Sequence, residues 1–151
     1  MDTIYLSEFN LGDKFESSAL TVTEAAVVMF AGITSDFHPT HMDENYCKSL
    51  PFGTRIAHGM LTASIAMALW SRIGVVEESA IAQLGCSWEF KAPVLFGDTI
   101  HDVVEITGIK RSNSKPDRGV LTFAITVYNQ DGKVCATNET KALLKWDRPL
   151  D

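Results

Sequence analysis

The sequence predicts an α+β domain in which one long central helix is wrapped by a curved antiparallel β-sheet. Two observations carry this. Residues Gly59 to Ile73, GMLTASIAMALWSRI, place Met60, Leu61, Ile65, Met67, Leu69, Trp70 and Ile73 around the helix axis, with small Ala63, Ser64, Ala66 and Ala68 between them. A helix apolar on nearly all sides has to be enclosed by something. From Ala80 to Trp146 the chain then runs in long stretches of Val, Ile, Thr and aromatic residues broken by turn residues, which read as consecutive antiparallel strands. Such a sheet twists, and wrapping the helix is how both bury their apolar faces. At 151 residues, a single domain over 1–151 with a core of its own is expected.

Taken in order, Phe9-Asn10-Leu11-Gly12-Asp13 is a turn feeding a first strand from about Lys14 to Val22, irregular in its alternation. Thr21 or Thr23 then caps a helix: Thr21 has Glu24 three residues on, the spacing of a capping box, and Glu24 suits the positive end of the dipole. TEAAVVMFAGIT continues that helix, and Val27, Val28, Phe30 and Ala31 leave it no polar face, so burial is expected, with Gly32 as the exit. Asp36 falls just beyond its C-terminus. Pro39 ends any helix through the following loop, Asp43 caps a short helical turn, and Pro51-Phe52-Gly53 returns the chain. After the central helix, strands are expected over Ala80–Val94, Thr99–Arg111, Gly119–Asn129 and Lys133–Trp146. Phe96-Gly97-Asp98 and Asp131-Gly132 are turns, the latter a tight hairpin, and Ser112 to Arg118 is a polar loop.

Composition narrows the partners. A formal net charge of −6 and a pI near 5.1 exclude the basic face that nucleic acid or an anionic membrane surface requires. A small molecule or a second copy of this chain is the expected partner. Cys47, Cys86 and Cys135 are odd in number and lack CxxC spacing, which argues for a reducing, cytoplasmic setting and against a disulfide framework or zinc knuckle. The first residues, MDTIYLSEFNLGDKF, do not read as a signal peptide, and the central helix is too short and too dotted with Ser and Thr to span a bilayer.

Chemistry concentrates between Ser35 and Leu69. Asp36 and His41 flank a proline, so no regular element sets their separation and only the folded loop can join them. Joined, a carboxyl group and a neutral imidazole give an acid and a base side by side, which suits addition or removal of water; otherwise they are ordinary turn residues. His38 and His41 with Asp36, Asp43 and His58 are also candidate metal ligands, but Pro39 breaks the geometry of a helical His pair and no metal is expected. His58 reads first as a cap or packing residue. Gly59 opens the central helix, where unpaired backbone N–H groups and the dipole can meet a developing oxyanion. Ser64 is a small packing residue or a secondary donor. Arg111, Lys115 and Arg118 bracket the polar loop and either meet phosphates or simply stay solvated.

Ser35-Asp36-Phe37-His38-Pro39-Thr40-His41, followed by Arg55-Ile56-Ala57-His58-Gly59-Met60-Leu61, resembles the MaoC-like hydratase family, which includes the (R)-specific enoyl-CoA hydratases. Asn10-Leu11-Gly12-Asp13, Phe90-Lys91-Ala92-Pro93-Val94 and Gly97-Asp98 extend the resemblance over nearly the whole chain. It implies a hot-dog fold and pairing of two such domains. It implies also that Asp36 and His41 hold one water against the double bond of a trans-2-enoyl thioester, with the thioester carbonyl on the Gly59 N–H and Ser64 assisting. The chain departs from the family pattern at Ser35, His38, Thr40 and Cys47, where Gly, Asn, an aliphatic and a small residue are usual. His38 can keep the hydrogen bond of an Asn, and Thr40 beside the catalytic His bears on acyl preference.

The expectation is a hydratase or dehydratase acting on an acyl-CoA or acyl-carrier thioester as a homodimer or a multiple of it, with no metal or redox cofactor. Two rivals remain: a hot-dog thioesterase, which would need a carboxylate near the central helix, and a non-catalytic acyl-CoA or acyl-carrier binding module.

Overall fold

The computed structural model describes residues 2–149. Its centre is α4 (Gly59–Ile73), preceded by α1 (Glu24–Thr34) and the short α2 (Pro39–Met42) and α3 (Glu44–Cys47). The strands are β1 (Lys14–Glu16), β2 (Leu20–Thr21), β3 (Ala80–Phe90), β4 (Thr99–Arg111), β5 (Arg118–Tyr128) and β6 (Val134–Lys145). All pair antiparallel in the order β1-β4-β5-β6-β3, with β2 also on β4. Leu61, Ile65, Ala66, Leu69 and Trp70 of α4 pack into a core with Val104 and Ile106 of β4 and Leu121, Phe123 and Ile125 of β5. Trp70 lies between Phe15 and Phe123, at centroid distances of 5.7 and 5.2 Å. Among the described residues no helix is long and apolar enough to cross a membrane.

Several expectations shift. The first strand is two pieces: Glu16 faces Val103 and Leu20 faces Ile100, so three residues, Ser17 to Ala19, oppose only His101 and Asp102. This is a bulge, which explains the irregular alternation. Thr23, not Thr21, caps α1, its side chain accepting from the Ala26 amide at 3.2 Å, while Thr21 closes β2. The helix passes Gly32 and ends at Ser35, which adopts the left-handed conformation at φ 63°. Only Val27 and Ala31 of α1 are fully buried; Val28, Met29 and Ile33 are exposed, Ile33 by 82%. Absence of a polar face thus did not mean burial within one chain. The central helix also keeps an open stripe, Met60, Ser64, Ala68 and Ser71, at spacings that align on one face. Strand β3 ends at Phe90, because the Lys91 and Ala92 amides both turn to the Cys135 carbonyl. Asp131-Gly132 does form a hairpin, but with a three-residue loop between Asn129 and Lys133, closed by Gly132 at φ 72°. Cys47, Cys86 and Cys135 are free thiols.

Candidate active site

Three local devices bring the loop residues together. Ser35 reverses the chain after α1, so Asp36 starts a new direction. Pro39 then occupies the first turn of α2, where its fixed φ suits helix entry and its missing N–H leaves nothing unsatisfied. His38 is the cap of that helix: its Nδ1 accepts from the Thr40 amide at 3.2 Å and lies 2.6 Å from the Thr40 hydroxyl. His38 therefore spends its hydrogen bonding on local structure, as an Asn cap would.

His41 is held from outside the loop. Its Nδ1 lies 2.7 Å from the Ile56 carbonyl, and since a carbonyl only accepts, Nδ1 carries the hydrogen and Nε2 keeps a free lone pair in the neutral ring. Burial pushes the His41 pKa down and the neighbouring His58 adds to this, against the opposing Ile56 hydrogen bond and Asp36 charge. The result is an imidazole that is neutral near pH 7 and offers Nε2 as a base.

His58, buried at 2% exposure, is more than a cap. Its ring stacks on His41 at 3.8 Å, packs against Phe30 at 5.0 Å, and donates from Nε2 to the Asp36 carbonyl at 2.9 Å. It thus fixes the backbone of the acid and the ring of the base at once. Asp36 itself is half-exposed, its Oδ1 accepting from the His38 amide at 3.3 Å. A carboxyl oxygen of Asp36 and one ring nitrogen each of His41 and His58 all lie within 4.8 Å of one another. Two hydrogen bonds of about 2.8 Å meeting on one oxygen span a gap of that size, so Asp36 and His41 can share one water.

The same three residues are a poor fit to a metal ion. His41 and His58 are stacked within 29° of parallel, so their in-plane lone pairs run side by side rather than converging, and the His58 Nε2 already carries the hydrogen given to Asp36.

Gly59 begins α4, whose N-terminus has no side-chain cap, unlike those of α1, α2 and α3. Its first amides are left for a ligand. A cleft of about 340 Å³ opens there, lined by Phe52, Ile56, Gly59, Thr62, Phe90 and Pro93. A Cβ on Gly59 would stand 3.0 Å from the Phe90 ring, so glycine keeps this approach open. A larger apolar cavity of about 420 Å³ lies further along α4, between Met67, Trp70 and Ser71 and the start of β3. Ser64 is exposed on the open stripe, with its hydroxyl donating to the Met60 carbonyl at 2.7 Å.

The basic loop is not brought to this site within the chain. The cleft shares its end of the sheet with the Leu95–Asp98 turn before Thr99, whereas Arg111 closes β4, thirteen residues and about 40 Å along the strand. There the Arg111 guanidinium lies over Trp146 at 4.7 Å and donates to the Pro116 carbonyl, Arg118 is paired with Asp117, and Lys115 belongs to the same loop, its amide donating to the Ser112 hydroxyl. Sequence reasoning also missed two contributors: the stacking of His58 on His41, and Arg55, which pairs with Glu24 and Glu44. Arg55 and His58 were visible in RIAHG, but their partners lie in other elements.

The MaoC like domain family model matches residues 8–128. An (R)-specific enoyl-CoA hydratase of Rhodospirillum rubrum is 36% identical over 129 residues, covering 85% of this chain and 83% of that protein. Another (R)-specific enoyl-CoA hydratase, from Aeromonas caviae, is 31% identical over 115 residues, 76% of this chain and 81% of its own. Among solved structures, the MaoC-like dehydratase from Rhodospirillum rubrum superimposes with a TM-score of 0.85 at 31% identity over 97% of this chain and 99% of its own. A double hot-dog protein of Mycobacterium tuberculosis does so with a TM-score of 0.85 at 16% identity over 99% of this chain and 46% of its own, a likeness of fold alone. With a family model spanning most of the chain and a hot-dog framework carrying an acid and a base over an uncapped helix, the protein belongs to the MaoC-like domain family.

Proposed function

We propose that this protein reversibly hydrates the double bond of a trans-2-enoyl thioester, with CoA as the carrier, to give an (R)-3-hydroxyacyl thioester. That it is an enzyme of the hydro-lyase class rests on its family and on relatives named as hydratases and dehydratases. The observation that carries the finer reading is the Asp36–His41 pair within 4.8 Å, with the His41 Nδ1 committed to Ile56 and Nε2 left as base.

In the hydration direction Nε2 of His41 takes a proton from the shared water as its oxygen bonds to the β-carbon. The double-bond electrons move towards the thioester carbonyl, and the Gly59 N–H receives the negative charge that develops there. Asp36 gives a proton to the α-carbon. Proton transfer from His41 back to Asp36, directly or through solvent, restores both groups. A largely apolar slot strengthens the carbonyl's bond to the amide, as the lining of the Phe52–Phe90 cleft provides. No step calls for a metal or redox cofactor.

A homodimer belongs to the same reading. Among the described residues strand β3 has a single neighbour, β6, and its eleven residues lie almost wholly exposed beside the open stripe of α4. A long unpaired edge with Ile81 and Leu84 exposed is a surface that a second copy of the chain can cover.

The test is the ultraviolet absorbance of crotonyl-CoA, and then of longer enoyl-CoAs, with the wild-type protein and Asp36→Asn. Loss of the enoyl signal with wild type alone, giving the (R)-alcohol on chiral analysis, is expected. Release of free thiol would move the assignment to a thioesterase, and binding without turnover to an acyl-thioester binding module.

A further inference from the structure

The half-buried segment from Thr54 to Ala57 is fastened at several points. The Ile56 amide donates to the Thr40 carbonyl at 3.2 Å, the Ala57 amide donates to the Val94 carbonyl at 2.8 Å, and Ile56 forms a β-bridge with Leu95. Arg55, between these, makes a forked contact with two helices. One guanidinium nitrogen reaches Glu24 at the start of α1 at 2.6 Å, while Nε and the backbone amide both reach Glu44 at the start of α3, at 3.2 and 3.3 Å. Its free face lies over the Phe96 ring at 4.8 Å.

Ion pairs whose carboxylates are this exposed add little to stability, so their number and geometry call for another account. Register supplies one. Glu44 lies three residues after His41, and Arg55 immediately precedes Ile56. The Glu44–Arg55 contacts therefore run alongside the His41–Ile56 hydrogen bond and join the same two segments. A change in the spacing of those segments would stretch the bond that decides which nitrogen of His41 carries the hydrogen.

We propose that Arg55 is a positioning residue, clamped by Glu24 and Glu44 so that the Ile56 carbonyl holds the His41 ring with Nε2 towards the shared water. A planar fork can serve both carboxylates in fixed directions; a lysine ammonium cannot. The consequence for turnover rests on the hydratase reading above, but the effect on His41 does not.

The experiment is nitrogen-15 NMR of the histidine rings in wild type, Arg55→Gln and Arg55→Lys, with the His41 signals assigned from His41→Gln, alongside steady-state kinetics on an enoyl-CoA. In wild type, Nδ1 is the protonated nitrogen. In Arg55→Gln the tautomer becomes mixed and the His41 pKa falls further, since the Ile56 bond that opposes the fall is loosened. Turnover drops about 10- to 100-fold, the loss expected of a misplaced base, with KM changed by less than about threefold. The acid limb of the rate profile moves to lower pH, which a loss of folded protein alone would not produce. Arg55→Lys stays within a few-fold of Arg55→Gln. Should Arg55→Gln fail to fold, Glu44→Gln gives the same readout with smaller shifts. A folded variant whose His41 tautomer and titration match wild type overturns the clamp. If the tautomer responds but wild type hydrates no enoyl thioester, the clamp stands and the reaction assignment falls.

Discussion

Asp36 and Asp102 are the same side chain in opposite settings. Asp36 sits half-exposed in a loop, its carbonyl bound by His58 and its carboxyl within reach of an imidazole. Asp102 lies on the inner face of β4 between Ile100 and Val104, wholly buried, and among the described residues neither of its carboxyl oxygens has a hydrogen-bond partner. Its backbone, by contrast, is fully served: the amide donates to the Ser17 hydroxyl at 2.9 Å and the carbonyl accepts from the Ser17 amide at 3.0 Å. The bulge at Ser17 thus locks the strand where the side chain must face inwards. Burial pushes the Asp102 pKa up to about 7. Chemistry follows from a partner and a path to water, which Asp36 has; burial alone yields an acid that costs stability.

The comparison breaks most directly at the first aspartate. Asp36→Asn and His41→Gln each leave a folded protein and lower hydration by about a thousandfold, within the range of general acid–base groups. Near-normal turnover in either, measured by enoyl absorbance, removes the loop from the chemistry.

The second aspartate should answer in stability instead. The folded state holds its proton to about pH 7, whereas the unfolded chain releases it near 3.8. The penalty is therefore absent below about pH 4, grows as pH rises and is complete above about pH 7, where it reaches roughly 4 kcal/mol. Asp102→Asn, which cannot ionise though it keeps an unpaired amide, should gain roughly 4 kcal/mol at pH 8 and little at pH 4. Urea midpoints at both values measure this, and an unchanged difference between pH values would give Asp102 a hidden partner.

Gly59 tests how far the site extends. Gly59→Ala sets a methyl against the half-exposed Phe90 ring, which can swing aside, so melting should barely change while kcat/KM falls about tenfold as the approach to the helix amides narrows. The smallest effect belongs to Arg118→Ala. Its pair with Asp117 is exposed and remote from the cleft along β4, so neither melting nor the KM for acyl-CoA should move. A clear rise in KM would bring that loop to the site from another copy of the chain.

Much of the molecule was legible in the residues. The central helix was bounded at both ends as found, since a largely apolar run from Gly59 to Ile73 marks it. Strands β4, β5 and β6 were placed to within about a residue, because β-branched runs between turn residues are a local signal. Asp36, His41 and Gly59 stood out because acid, base and a helix start are chemical types that a sequence displays. The burial of α1 and the continuity of the first strand were not legible, because both depend on what packs opposite. The same holds for His58 stacked on His41, for Arg55 joined to Glu24 and Glu44, and for the unpartnered Asp102. Residue type and periodicity are properties of one segment, and the sequence by itself determined the elements and the candidate acid and base. Distance, tautomer and desolvation arise where segments distant in the chain meet, and only the tertiary structure decided them.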